Sequence, residues 1–349
     1  MDHRKPHPEL YKVPFTTDDF NGMPYRLLGR SGLRVSNVGL GTWKIGYPET
    51  GDGSRVDEKT ALKILDRAIE LGVTFWDGAN RYNDASGNSE RVMGTWFMNN
   101  PDQRRNVVLA TKIFGGMDGV TPNHSRLGRG SILDSVYACL ERLAVDYIDL
   151  LFFHSFDPYT PIEESLAAIE DLVQRDLIRS FAVSNFTVDQ LSIYQAAEKA
   201  ASVRCRVLSV QNGFNILHGE LPADQGVLDY AARTGISYMA WSPLARGLLT
   251  ERYLDLEKVG PQDRVYDEGL LDEYTSGETM PKLHQLAQLA HSWDLEVNQL
   301  ALAYMLTLPG MGPVIPAAST VQQIESNAVA GKVTLDDEQR RLVKEALAG

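Results

Sequence analysis

The chain has 349 residues, 43% hydrophobic and 23% charged, enough for a sizeable core in one large domain or two ordinary ones. A net charge of −12, from 34 basic and 46 acidic residues, argues against nucleic acid or an anionic membrane as the main partner and leaves room for a local basic pocket. Its two cysteines, Cys139 and Cys205, offer neither a disulfide framework nor a zinc spacing, and no run approaches the ~18 apolar residues of a membrane helix.

The N-terminus, MDHRKPHPELYKVPF, is polar and proline-bearing and lacks the apolar region of a secretory signal, so a reducing cytoplasm is expected. Residues 1–22 are expected to form an arm, with an oligomer contact as the alternative, and residues 23–349 a single domain. From there short apolar runs alternate with longer amphipathic patterns. The strand candidates are SNVGLGT (36–42), VTFWD (73–77), VVLATK (107–112), YIDLLFFH (147–154), IRSFAVS (178–184), VLSVQ (207–211), ISYMAWS (236–242) and GPVIPA (312–317). Between them lie helical patterns such as DEKTALKILDRAIELG, ILDSVYACLERL, PIEESLAAIEDLVQRD, TVDQLSIYQAAEKA and GVLDYAARTG, several ending in Gly. Cys139 falls inside one of them as a buried thiol.

From the second to the seventh strand, starts recur every ~30 to 40 residues, the length of a βα unit. The runs are apolar throughout, as in parallel strands buried on both faces. The last interval is longer and holds a polar stretch, 251–280, which reads as a loop insertion. Eight such units predict a closed (β/α)8 barrel, a TIM barrel, with long loops at the C-terminal face of its strands. An open doubly wound sheet is the alternative, but its glycine-rich turn fails here: GLGTWKIG has Lys44 where the third glycine belongs.

In a barrel the C-terminal ends of the strands converge on one mouth. Three successive strands end on chemistry-bearing residues: Asp77, Lys112 and His154, with Tyr82 just past the first of them. Each alone has an ordinary reading, as turn former, snorkelling cation, structural histidine and packing ring. Together they form an acid–base set. A phenol with an unperturbed pKa of about 10 is lowered by a neighbouring ammonium, a carboxylate keeps that ammonium charged, and a neutral imidazole donates to a substrate oxygen. Such a group protonates an oxygen on which charge develops, as carbonyl reduction requires, and needs no metal. HExxH and G-x-S-x-G motifs are absent from the sequence.

At these residues the chain resembles the aldo-keto reductase family, over most of its length. MPYRLLGRSGLRVSNVGLGTW is similar to the family's N-terminal β-hairpin and first barrel strand. FWDGANRYNDASGNSERVMG is similar to its D-x-x-x-x-Y motif and helix start, LATK and DLLFFH to its lysine and histidine strands. IRSFAVSNF, VQNGFN, WSPLARGLLT and IPAASTVQQIESN follow in the family's order. The resemblance implies a barrel that reduces aldehydes and ketones, or oxidises the corresponding alcohols or sugars, with a nicotinamide cofactor. Tyr82 would be the general acid or base, tuned by Lys112 and Asp77, and His154 would orient the carbonyl. Gly41, Thr42, Trp43 and Asp77 would border the cofactor, and Ser184, Asn185 and Gln211 would hold its carboxamide. Trp241 would stack on the nicotinamide, and Ser242, Leu244, Arg246 and Gly247 would wrap the pyrophosphate. Ala318, Ser319, Gln323 and Asn327 would border the adenosine half. Trp43, Tyr47, Phe114 and Phe156 are the candidate substrate walls.

Three departures stand out. Relatives that clamp a 2′-phosphate often carry Lys at the position of Ala318 and Arg near Gln323, and Ser326–Asn327 stands for their Glu-Asn pair. NADPH remains the expected cofactor, with NADH as the alternative. The family's D-T-A is D-G-A here, with Gly78, and Glu251–Arg252 replaces a common Gly-Lys. Two other functions share the resemblance: a cofactor-carrying regulatory subunit like the voltage-gated potassium channel β subunits, and an epimerase that uses its cofactor transiently. The N-x-S/T matches at Asn123 and Asn185 lack an accompanying secretion signal.

Overall fold

A small antiparallel sheet precedes the main one in the computed structural model, which describes residues 15–117, 119–200 and 206–348. Its strands are β1 (Asp19–Phe20), β2 (Met23–Leu27) and β3 (Arg34–Ser36), with β2 and β3 forming the expected hairpin. The adjoining residues 1–14, most of the expected arm, lie outside the described residues, as does Cys205.

Eight parallel strands follow: β4 (Gly39–Gly41), β5 (Phe75–Asp77), β6 (Val108–Ile113), β7 (Ile148–Phe153), β8 (Ile178–Ser184), β9 (Val207–Asn215), β11 (Ser237–Trp241) and β12 (Met311–Ile315). The two-residue β10 (Gly219–Glu220) folds back antiparallel onto β9. The eight neighbour one another in chain order, and β12 returns to β4 through bridges between Val38 and Val314 and between Gly41 and Ala317. The sheet is thereby a nearly closed barrel, the predicted (β/α)8 fold.

Helices cover the outside. That of Glu58–Glu70 starts where Asp57 accepts a hydrogen bond from Thr60 N, and that of Val188–Ala197 starts in a capping box of Thr187 and Gln190. Cys139 is fully buried on the inner face of the Arg129–Leu143 helix. None of the described helices is long and apolar enough to cross a membrane.

Successive side chains on a strand point to opposite faces, so alternate residues line the bore. One cluster fills it: Phe75, Ala110, Leu150, Phe152, Ala182, Met239 and Ile315, joined by Leu28 and Val35 from the N-terminal hairpin. The hairpin therefore stoppers the N-terminal end of the barrel. It can sit this close because Gly29, in the left-handed region at φ +54°, lies where any Cβ would strike the Leu208 carbonyl. With that end closed, ligands must enter at the other.

The 251–280 segment differs from the expected loop. It forms a chain of short turns, Glu251–Leu254, Leu256–Lys258, Arg264–Asp267 and Leu271–Thr275. Side-chain pairs hold them: Arg252 Nε to Asp263 Oδ1 at 2.9 Å, Arg264 Nε to Glu268 Oε1 at 2.9 Å, and buried Tyr253, whose Oη accepts from Val265 N. No hydrophobic period marks such turns, because charged pairs rather than an apolar face order them.

Candidate active site

Counting two residues up each strand from the apolar layer of the bore reaches a polar layer. Phe75 leads to Asp77, Ala110 to Lys112, Phe152 to His154, Ala182 to Ser184, and Met239 to Trp241. Gln211 on β9 completes it, all six lining or underlying the mouth. Parallel pairing brings the six strand ends together with a two-residue stagger at several steps, Asp77 pairing with Ala110, Lys112 with Phe152 and Gln211 with Met239, as the shear of a closed barrel requires.

Lys112 sits at its centre, 1% exposed. Its Nζ donates to Asp77 Oδ2 at 2.6 Å, to Gly78 O at 2.9 Å and to Tyr82 Oη at 2.8 Å. Three acceptors use all three ammonium hydrogens. The second Asp77 oxygen, Oδ1, accepts from Gln211 Nε2 at 3.0 Å. Tyr82 Oη in turn donates to Asp77 Oδ2 over 3.5 Å, a long and weak bond that an acceptor in the cleft can replace. The His154 ring stands edge-on to Tyr82, centroids 6.2 Å apart.

The electrostatics differ from the expected pattern in one respect. Burial, and then the Asp77 carboxylate, push the Tyr82 phenol well above its ordinary range, whereas the adjacent ammonium was expected to lower it. Asp77 cancels the charge of Lys112, which itself is lowered by burial. The result is a neutral phenol that holds its proton. Burial, helped by the charges of Lys112 and Arg81, pushes His154 down to about 3, so its imidazole is neutral near pH 7.

Beside this group runs a cleft of about 1310 Å³. Ser184, Asn185, Gln211 and Trp241 form its inner end, tied together by Ser184 Oγ to Gln211 O (2.7 Å), Asn185 Nδ2 to His154 O (2.9 Å) and Trp241 Nε1 to Asn185 Oδ1 (3.1 Å). Gly41, Trp43, Ser242, Leu244, Arg246, Gly247, Ser319, Gln323 and Asn327 also line it. Two further predicted cofactor residues are not among the lining. Thr42 is buried, its Oγ1 donating to Asp77 O at 3.0 Å and accepting from Ser89 Oγ at 2.8 Å, so it braces β4 against β5. Ala318 packs into the core.

Of the candidate substrate walls only Trp43 lines the cleft. The Tyr47 hydroxyl donates to Glu58 Oε1 at 3.1 Å. Phe156 packs edge-on against Phe186 and Tyr194, centroids 5.6 and 6.1 Å away. Phe114 packs against the core at the start of the loop after β6.

The sequence reading missed the roof of the cleft. Arg55 pairs with Asp267 at 3.1 Å, and the Arg264 guanidinium lies 4.3 Å from the Trp43 ring centroid, so the 251–280 segment reaches across to the loop after β4. Glu296 and Asn298, opening the Val297–Met305 helix, also line the cleft, bound to Ser326. Nothing local in the sequence marks either. Asn80 was missed too: it is fully buried next to the site, and its side-chain amide has no partner among the described residues. Gly78 acquires a reason. A Cβ there would lie 2.8 Å from Met93 Cε, the free end of a flexible side chain, so glycine spares Met93 a small shift.

Comparison with known proteins agrees with this architecture. The sequence model of the aldo/keto reductase family matches residues 37–348. The chain is 33% identical to aldo-keto reductase AFTS1 of Alternaria alternata, over 92% of this chain and 91% of that one. It is 32% identical to the uncharacterized oxidoreductase YrpG of Bacillus subtilis (94% and 97%) and 30% identical to a probable voltage-gated potassium channel subunit beta of Arabidopsis thaliana (88% and 91%). Among solved structures, the thermostable aldo-keto reductase Tm1743, crystallised with the inhibitor epalrestat, superposes with a TM-score of 0.71 at 27% identity, over 93% of this chain and all of the other.

Proposed function

The chain belongs to the aldo/keto reductase family, whose members are oxidoreductases acting on carbonyls, and from that premise we propose that it reduces an aldehyde or ketone with a nicotinamide dinucleotide, Tyr82 serving as general acid. The observation that carries this reading is the lysine with three bonds at the mouth. Tyr82 keeps a neutral phenol whose hydrogen is held only by a long 3.5 Å bond to Asp77, beside a cleft large enough for a dinucleotide.

The residues present fit such a cofactor. Gln211 uses Nε2 on Asp77 and keeps Oε1 for a carboxamide, the flat face of Trp241 is steadied by Asn185, and Lys44, Arg55, Arg246, Arg252 and Arg264 supply cations for phosphates. When bound, the cofactor supplies the hydride that goes to the carbonyl carbon. Tyr82 gives its proton to the carbonyl oxygen. Lys112 then stabilises the phenolate left behind, and the neutral His154 ring orients the oxygen by a hydrogen bond. In the oxidative direction the same groups act in reverse on an alcohol or sugar. NADPH is the first choice, on the strength of those cations. NADH is the alternative, because Ala318 and Gln323 place no cation at the start of the Val321–Ala330 helix.

Consumption of NADPH and of NADH against a panel of aldehydes, ketones and sugars tests the reading. Oxidation of one cofactor with stoichiometric alcohol formation supports it, and inertness toward the whole panel with both cofactors refutes it. Similarity to the Arabidopsis channel subunit favours a second reading, a cofactor-bearing partner subunit. A stable complex recovered without carbonyl turnover would select it.

A further inference from the structure

The four arginines of the roof all have carboxylate partners: Arg55 with Asp267, Arg246 with Glu268, Arg252 with Asp263 and Arg264 with Glu268. One arginine at the mouth does not. Arg81, the residue before Tyr82, pairs with no carboxylate among the described residues and is exposed. It is nevertheless held. Its stem lies on Gly115, where any Cβ would collide with Arg81 Cδ, and its Nη1 donates to Gly116 O. Two successive glycines in the loop after β6 thus make a seat for this side chain. The seat leaves Nε and Nη2 of the guanidinium for another acceptor.

The position is unusual for a cation with only a structural task. Arg81 adjoins the proton donor in sequence, and its charge is felt at the His154 ring, so it overlooks the reacting centre from the rim outside the cofactor cleft. In a chain of net charge −12, a seated guanidinium at the entrance with no carboxylate partner among the described residues is a local exception. A fork of parallel N–H groups suits a carboxylate or phosphate, and a pre-ordered fork loses little freedom on binding it.

We propose that Arg81 binds an anionic group of the substrate, a carboxylate or a phosphate, and so selects carbonyl compounds that carry a negative charge. The proposal rests on the carbonyl-reductase reading above.

The full-length protein with its preferred nicotinamide cofactor is assayed on two matched pairs: 4-carboxybenzaldehyde against its methyl ester, and glyceraldehyde 3-phosphate against glyceraldehyde. The anionic member of at least one pair is expected to be favoured about tenfold or more in kcat/KM, mainly through KM. The preference should shrink as salt rises. The responding pair tells carboxylate from phosphate. Arg81→Gln should bring the ratio close to one, and Arg81→Lys should keep part of it. If Arg81→Gln fails to fold, the wild-type salt dependence and Arg81→Lys decide. A purely structural arginine would change both members of a pair alike, and an unmoved ratio in the variants overturns the proposal. So does a wild-type protein that reduces the neutral members without favouring the charged ones, a result that leaves the reductase reading intact. Failure to reduce any of the four and the wider panel removes both.

Discussion

Lys112 Nζ donates a 2.8 Å hydrogen bond to Tyr82 Oη while the same nitrogen is held by Asp77 and by the Gly78 carbonyl. The phenol oxygen therefore meets a positive donor whose direction is set by two other bonds. A proton leaving Tyr82 would leave its negative charge facing an ammonium already in place, so little reorganisation accompanies the transfer.

Replacing Tyr82 by Phe removes the acid and keeps the ring. Turnover is expected to fall by a factor of roughly 10² to 10⁴. Cofactor affinity, followed by fluorescence titration, should change little, because Tyr82 contributes only the hydroxyl at issue. Wild-type kcat in this variant would refute the assignment.

Lys112→Met strands the Asp77 carboxylate, 2% exposed, with only the neutral donors Gln211 Nε2 and, at 3.5 Å, Tyr82 Oη among its side-chain partners. Breaking one side of a buried pair costs about 3 to 5 kcal/mol. Urea unfolding of the variant should show that loss. Adding Asp77→Asn removes the stranded charge and should restore part of the stability. If the double variant is less stable than Lys112→Met, the pair is not the cause.

His154 titrates at about 3 in the folded protein against 6.5 for an unperturbed imidazole. The unfolded chain then binds a proton that the native protein refuses between those values, so this group's contribution is present above pH 6.5 and is lost as pH falls toward 3. Unfolding free energy should accordingly decline over that window, and His154→Asn should flatten the decline. Equal slopes for the two proteins would show that His154 is not buried as a neutral ring.

Gly78→Ala drives a methyl to within 2.8 Å of Met93 Cε. Rigid overpacking costs about 1 to 3 kcal/mol, and because Met93 Cε ends a flexible side chain the loss here should lie at or below the low end of that range. Shortening the neighbour with Met93→Val in the same chain should cancel most of the effect of the added methyl, a coupling that a double-mutant cycle measures directly. Additive effects would mean that the two side chains do not meet.

Period and order are the properties that this sequence by itself determined. Apolar runs at βα spacing specify parallel strands, and the alternation along FWD, LATK and LLFFH points Asp77, Lys112 and His154 to the same side as the apolar layer below them. Those signals are local, because a strand's period and a helix's cap involve residues within a few positions of each other. The two-residue strands β1 and β10 are too short to carry a period. Tertiary structure alone decided the rest. It turned Phe156 away toward Phe186, let Met93 fill the space above Gly78, and set the balance in which Asp77 and burial, rather than Lys112, govern the phenol. It also built the roof, where Arg55 meets Gln262 from 207 positions away. Contacts at that separation depend on where the closed barrel brings loop ends together, and burial strength depends on everything packed around a group. No stretch of neighbouring residues encodes either one.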